Sequence, residues 1–189
     1  MNKIDIEKTV KDLIDTFLQA GEVSLELREK GLIKETKPDN TPVSNGDLEV
    51  NKIITEKIIS LTPDIPIISE ETSDNKSTKD LRNFWLIDPI DGTYDYINDL
   101  DEFTINAGLI IDKKPVAGLI NAPAKKRMFY SFSKNFAFEL INGESIKLEC
   151  KKNFDKNKIK FVSYSNKIKP EIEKIHKRLN VKSFTRMKS

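Results

Sequence analysis

Ile6, Val10, Leu13, Ile14 and Phe17 recur at the three- and four-residue intervals of a helix with one apolar face, so the chain is expected to open with an amphipathic helix. A polar, glycine-punctuated stretch follows as far as Gly31, and Lys37-Pro38-Asp39-Asn40 reads as a loop. Ser44 is a good N-cap for a second helix that carries Val50, Ile53, Ile54, Ile58 and Leu61 on one face and ends at Pro63. Residues 65–69 make a short apolar strand running into Glu70-Glu71. A polar loop over residues 72–82 leads to a second apolar strand, Phe84-Trp85-Leu86-Ile87, and then to the turn-like run Asp88-Pro89-Ile90-Asp91-Gly92-Thr93.

From Phe103 the period drops to two. Phe103, Ile105, Ala107, Leu109 and Ile111 alternate with Thr104, Asn106, Gly108 and Ile110, which predicts a half-buried strand. Strands over 116–120, 128–132 and 136–141 complete a meander, and Asn142-Gly143 is a strong hairpin signal. After a lysine-rich loop at 151–158, residues 159–163 read as a strand. Pro170 then opens a helix expected to turn Ile172, Ile175 and Leu179 inward. Residues 181–184 begin a strand for which no later sequence supplies a partner, and an open edge of that kind invites self-association. Helices, then an antiparallel meander, then the opening of an α/β segment give an α+β fold, a layered sandwich of helices on an antiparallel sheet.

The chain has 189 residues, enough for one domain and part of another. A third of them are charged, yet the formal charge is only +2, which gives no electrostatic case for nucleic acid. Cys150 is the one cysteine, so an intrachain disulfide is excluded and a reducing compartment fits. The N-terminus has no secretory pattern and no apolar run approaches membrane-spanning length. The expected location is the cytoplasm, either free or peripheral at the inner membrane.

Three acidic groups stand at element ends: Asp47, Glu70-Glu71, and Asp88 with Asp91. Glu70 and Asp88 each follow an apolar strand. If those strands are neighbours, both carboxylates emerge at one end of a sheet, where hard oxygens suit Mg²⁺. The Ile90 carbonyl, freed by a turn, could complete a shell. Gly92 and Thr93 could offer backbone N–H groups to phosphate, and the Thr93 hydroxyl could link to Asp47 to orient a water. Each feature also has a plainer account. Asp47 lies three residues after Ser44 and could complete a capping box. Glu70-Glu71 could be a solvated loop entrance, and the Asp-Pro-Ile-Asp-Gly run an ordinary turn. His176 reads as solvated on the polar face of the last helix, and Cys150 as incidental.

Thr41-Pro42-Val43-Ser44-Asn45-Gly46-Asp47, Ile68-Ser69-Glu70-Glu71 and the run from Trp85 to Thr93 resemble, in order, three segments of the inositol monophosphatase superfamily. Asp101-Glu102-Phe103-Thr104-Ile105-Asn106, Asn121-Ala122-Pro123 and Ser163-Tyr164-Ser165 resemble its CysQ-type 3'(2'),5'-bisphosphate nucleotidase group. The resemblance implies hydrolysis of the 3'-phosphate of adenosine 3',5'-bisphosphate to AMP, a step tied to sulfate assimilation, with two or more Mg²⁺ ions. It also implies roles. Glu70, Asp88, the Ile90 carbonyl and Asp91 would be metal ligands, and Asp47 and Thr93 would activate water. Glu70, Ile90, Asp91, Gly92 and Thr93 would line the substrate, a small nucleotide bisphosphate.

Tyr164 replaces the arginine usual in the nucleotidases, and Tyr94-Asp95-Tyr96 a Lys-Glu-Phe. The family continues into Gly-Ser-Ser-Leu-Lys and Trp-Asp-x-Ala-Gly motifs, the latter carrying the last metal ligand. This chain is expected to stop where the first of these begins. Residues 1–150 would then be an N-terminal metal- and phosphate-binding domain, and 159–189 the start of a second α/β domain that is mostly missing. A phosphatase for inositol or sugar phosphates is the nearest alternative. Another is a catalytically inactive fragment that binds metal or a partner.

Overall fold

The computed structural model describes residues 5–38, 40–72, 81–150, 159–163, 167–181 and 183–187. The chain divides into two units, Met1–Leu148 and Glu149–Ser189. In the first, helix α1 (Ile6–Lys30) is capped by Asp5, whose side chain accepts from the Lys8 N–H, and it ends at Gly31, where φ is +93°. It runs well past the apolar stretch that predicts it. Val10, Leu13, Phe17, Ala20, Gly21 and Ser24 are all buried along one stripe. A helical glycine costs about 1 kcal/mol relative to alanine. Here the missing Cβ leaves room for Asn121 and Pro123, and Asn121 Nδ2 donates to the Phe17 carbonyl at 2.7 Å.

A small antiparallel ribbon, β1 (Lys34–Thr36) with β2 (Pro42–Ser44), leads into α2 (Asn45–Leu61). The remaining strands form one seven-stranded sheet in sequence order. They are β3 (Ile67–Ser69), β4 (Phe84–Asp91), β5 (Thr104–Ile111), β6 (Lys114–Ala122), β7 (Arg127–Ser133), β8 (Phe136–Ile141) and β9 (Glu144–Lys147). All neighbours are antiparallel except β3 and β4, which run parallel. A five-residue helix, α3 (Thr93–Ile97), joins β4 to the meander. Asn142 and Gly143 both have positive φ, as a two-residue hairpin turn requires. The helices α1 and α2 lie on one face of the sheet. The core between them is built on Leu13, Phe17, Ile54 and Ile58 from the helices and Trp85, Ile87, Ile105, Leu109 and Leu119 from the strands. The α+β layered architecture expected from the sequence is the one found.

β4 departs from expectation in a way that matters. The strand does not stop at Ile87 but runs on to Asp91, with a bulge between Asp88 and Asp91. Asp88 pairs with Asn106 and Asp91 with Thr104, so three steps on β4 match two on β5. Pro89, which has no N–H to give a ladder, sits within the irregularity. Without the extra residue, strict alternation would send Asp91 to the core side with Trp85 and Ile87. The bulge turns Ile90 inward, 2% exposed, and leaves Asp88 and Asp91 on the same outer face.

In the second unit, β10 (Lys160–Ser163), α4 (Pro170–Arg178) and β11 (Ser183–Arg186) form a strand–helix–strand unit whose strands pair in parallel. The last strand therefore has a partner, contrary to expectation. The partner precedes it, because the helix carries the chain back alongside β10. The helix is also rotated from its expected facing. Ile175 and Leu179 are 46% and 50% exposed, whereas Ile172 and His176 are half-buried and the His176 ring meets Phe161 at 4.1 Å between centroids. His176 is thus a packing residue with a buried Nε2 rather than a solvated one. Residues 73–80 of the loop expected over 72–82, the loop expected at 151–158, and Tyr164-Ser165 lie outside the described residues. No described helix is long and apolar enough to cross a membrane.

Candidate active site

The parallel pairing of β3 with β4 places Ser69 beside Ile87, so both strands deliver their next residues at one end of the sheet. The Glu70 N–H continues the ladder to the Ile87 carbonyl at 3.2 Å. Glu70, Asp88 and Asp91 are in this way gathered from two strands, and the bulge sets the two aspartates on a common face. Ser69 is buried and its hydroxyl bonds to Asn51 Oδ1 at 2.6 Å, which ties the end of β3 to α2.

Asp47 arrives from the N-terminus of α2 and is 1% exposed. The capping box and the contact with Thr93 expected from the sequence are both present. Its Oδ2 accepts from the Ser44 N–H at 2.8 Å and the Ser44 hydroxyl at 2.6 Å, completing a capping box. Its Oδ1 lies 3.1 Å from Thr93 Oγ1. Thr93 Oγ1 is also 3.0 Å from the Ile90 carbonyl, and its single proton can serve only one of the two acceptors at a time. Gly92, at φ +94°, makes the left-handed turn that brings Thr93 back over Ile90.

Asp88 is the most perturbed acid. Burial lifts its pKa from the usual 3.8 to about 7, aided by the charges of Glu70 and Asp91, contact with Glu70 and the charge of Glu71. Its buried Oδ1 has no hydrogen-bond partner among the described residues. Burial also raises the Glu71 pKa, although Lys37 works against the rise.

Lys37 belongs to the site, and the sequence reading missed it. Its ammonium lies 2.8 Å from Glu71 and 3.2 Å from Glu70. Burial works against its charge, but hydrogen bonds to Glu71 and Glu70 outweigh that and raise its pKa. The Lys37 N–H donates to the Thr41 carbonyl at 2.8 Å, which folds this loop back toward the acids. Electrostatics offered the one available clue. Acids gathered at one place call for a cation, and Lys37 lies in the loop just before Asp47.

Among the described residues, no three His, Cys, Asp or Glu side chains converge as a group that could hold an ion as they stand. The donor chemistry nevertheless fits a hard divalent cation. Every candidate ligand is an oxygen, and the orphaned Asp88 Oδ1 is a buried acceptor that a cation would satisfy.

Known proteins resemble the chain in sequence and in fold. The 3'(2'),5'-bisphosphate nucleotidase CysQ of Aggregatibacter actinomycetemcomitans is 38% identical over 141 residues, covering 74% of this chain and 52% of that protein. The chain spans about half the length of the curated relatives it matches. The crystal structure of CysQ from Bacteroides thetaiotaomicron superposes with a TM-score of 0.67 at 24% identity, over 95% of this chain and 72% of that one. An IMPase/NADP phosphatase complexed with Mg²⁺ and phosphate superposes with a TM-score of 0.77 at 18% identity, over 96% of this chain and 67% of that one. The sequence profile of the inositol monophosphatase family matches residues 5–188, nearly the whole length, and the chain belongs to that family.

Proposed function

We propose that the chain carries the metal- and phosphate-binding part of a Mg²⁺-dependent phosphatase that converts adenosine 3',5'-bisphosphate to AMP in the cytoplasm. The observation that carries this reading is the β4 bulge, which sets Asp88 and Asp91 on one face next to Glu70. The name of the Aggregatibacter relative supports the substrate, and the Mg²⁺ and phosphate of the solved phosphatase support the ion. In this reading residues 1–150 are the binding domain, and 159–189 begin a second α/β domain.

Glu70, Asp88, Asp91 and the Ile90 carbonyl would hold Mg²⁺, two ions or more. When bound, these supply charge neutralisation for the phosphoryl oxygens. The remaining work falls to the chain. Thr93 Oγ1 accepts a proton from the attacking water while giving its own to Asp47 Oδ1, along the 3.1 Å contact. The water oxygen bonds to phosphorus, the bond from phosphorus to the 3'-oxygen breaks, and that oxygen takes a proton from a solvent water to become the 3'-hydroxyl. The Gly92 and Thr93 N–H groups bind the phosphate. The Asp47 capping bonds fix its carboxylate, so Oδ1 faces Thr93 without further ordering.

Phosphate release from adenosine 3',5'-bisphosphate and from inositol 1-phosphate, with and without Mg²⁺, tests the proposal. Mg²⁺-stimulated release from the nucleotide is the expected result. A clear preference for the inositol ester would move the substrate to that class, and absence of any Mg²⁺-stimulated release would favour a binding fragment.

A further inference from the structure

Asn106 lies directly across the β4–β5 ladder from Asp88. Cross-strand partners leave the same face of a sheet, with Cβ atoms about 4.5–5.5 Å apart. Asn106 therefore stands beside Asp88 on the face that carries the acids. The two share a second property: Asp88 Oδ1 and Asn106 Oδ1 are both buried, and neither has a hydrogen-bond partner among the described residues. An ionised carboxylate and an amide oxygen are both acceptors, and as they stand neither satisfies the other. An unmet buried acceptor loses its hydration with nothing in exchange. Two of them on adjacent strands mark a place built for something that both oxygens address. On the other flank of Asp88 lies β3, which brings Glu70. The carboxylate is thus set between an acid and an amide.

We infer that Asn106 is a positioning residue of the acidic site. Its side-chain oxygen shares with Asp88 Oδ1 one water of the cation's hydration shell, and so fixes the orientation of the carboxylate. The inference rests on the metal reading above and extends it to a residue outside the Asp-rich segment. An amide is suited to this place because it adds an acceptor without another negative charge beside Glu70, Asp88 and Asp91. A packing role would need no oxygen at all.

Mn²⁺ serves as a paramagnetic stand-in for Mg²⁺, with the free ion counted by electron paramagnetic resonance in titrations of the 189-residue chain. Groups that orient a ligand cost about 10–100-fold in metal affinity when removed. Asn106→Leu is expected to weaken Mn²⁺ binding at least tenfold on that scale, with a cooperative melt retained. Asn106→Asp keeps the oxygen and is expected to bind at least as tightly as the parent. An Asn106→Leu variant that binds like the parent overturns the inference, and so does an Asn106→Asp variant as weak as the leucine one. If the leucine variant does not melt cooperatively, Asn106→Ala is read by the same criteria. A parent chain that binds no Mn²⁺ removes the metal reading and this inference with it. Parental binding that survives Asn106→Leu removes the role of Asn106 alone.

Discussion

Asp88 and Asp47 are both acids at the ends of apolar elements, yet their surroundings ask different things of them. Asp88 has few donors and acidic neighbours, and its pKa rises from 3.8 to about 7. In the absence of metal the folded chain therefore holds a proton that the unfolded chain releases. The stability from this group is fully present below pH 3.8 and is lost as pH rises through about 7. Denaturation midpoints without metal should accordingly fall over that window, and Asp88→Asn should flatten the fall. Added Mg²⁺ should restore the midpoint at neutral pH in the parent but not in the variant. Asp47 is fully partnered, and its two oxygens separate two roles. Asp47→Ala removes the return half of the capping box and leaves the buried Ser44 N–H without its acceptor, at a cost of about 1–3 kcal/mol in chemical denaturation. Thr93→Val leaves the cap intact. It should cost little stability while slowing Mg²⁺-stimulated phosphate release by about 10²–10⁴-fold, the usual worth of a positioned proton acceptor. Residue types and spacing made these aspartates legible in the sequence. Lys37 and Asn106 were not, because one lysine among many and one polar position in an alternating strand carry no signal until the ladder and the loop place them.

The elements explain why the acids meet. Period-two alternation predicted β5 well, and the Asn142-Gly143 hairpin followed from turn chemistry alone. Alternation could not predict the β4 bulge, since a bulge is an interruption of the pattern on which strand prediction depends. The same limit hid the full length of α1, where Gly21 reads as a breaker until Asn121 and Pro123 are seen to occupy the space beside it. Gly46 is a comparable case at the head of α2. A Cβ there would meet the buried Tyr96 ring, 2.7 Å from Cε1 and 2.8 Å from Cζ. Tyr96 cannot swing away cheaply, because it is fully buried and its hydroxyl donates to the Ser24 carbonyl at 2.7 Å. Gly46→Ala should therefore lower stability by about 1–3 kcal/mol, the range for overpacking. The gain of up to about 1 kcal/mol from helix propensity reduces the net loss. Since Gly46 precedes Asp47, the variant should also slow phosphate release by displacing the carboxylate. Unchanged stability would mean that α2 and α3 slide apart freely.

At the scale of the molecule the two units differ in what holds them. Every residue of the buried core, from Val10 to Tyr130, lies in Met1–Leu148. The described residues of Glu149–Ser189 include none that is buried, and Val162, Ile175, Leu179, Phe184 and Met187 are 42–56% exposed. A strand–helix–strand unit with two strands and one helix has too little apolar area to cover from both sides, and isolated two-stranded pairings are marginal in water. Apolar spacing predicts an inward face on α4 at Ile172, Ile175 and Leu179. Apolar spacing shows which residues a helix could bury and not which of them have anything to bury against. A chain ended after Leu148 should then keep the α+β fold, with a far-UV circular dichroism spectrum of mixed helix and strand and one cooperative melt. Its midpoint should lie within a few degrees of the full chain's, about what a loss under 1 kcal/mol produces in a domain of this size. Residues 149–189 alone should give no cooperative transition. A shortened chain that fails to melt cooperatively would mean that the first unit draws its stability from residues beyond its own core.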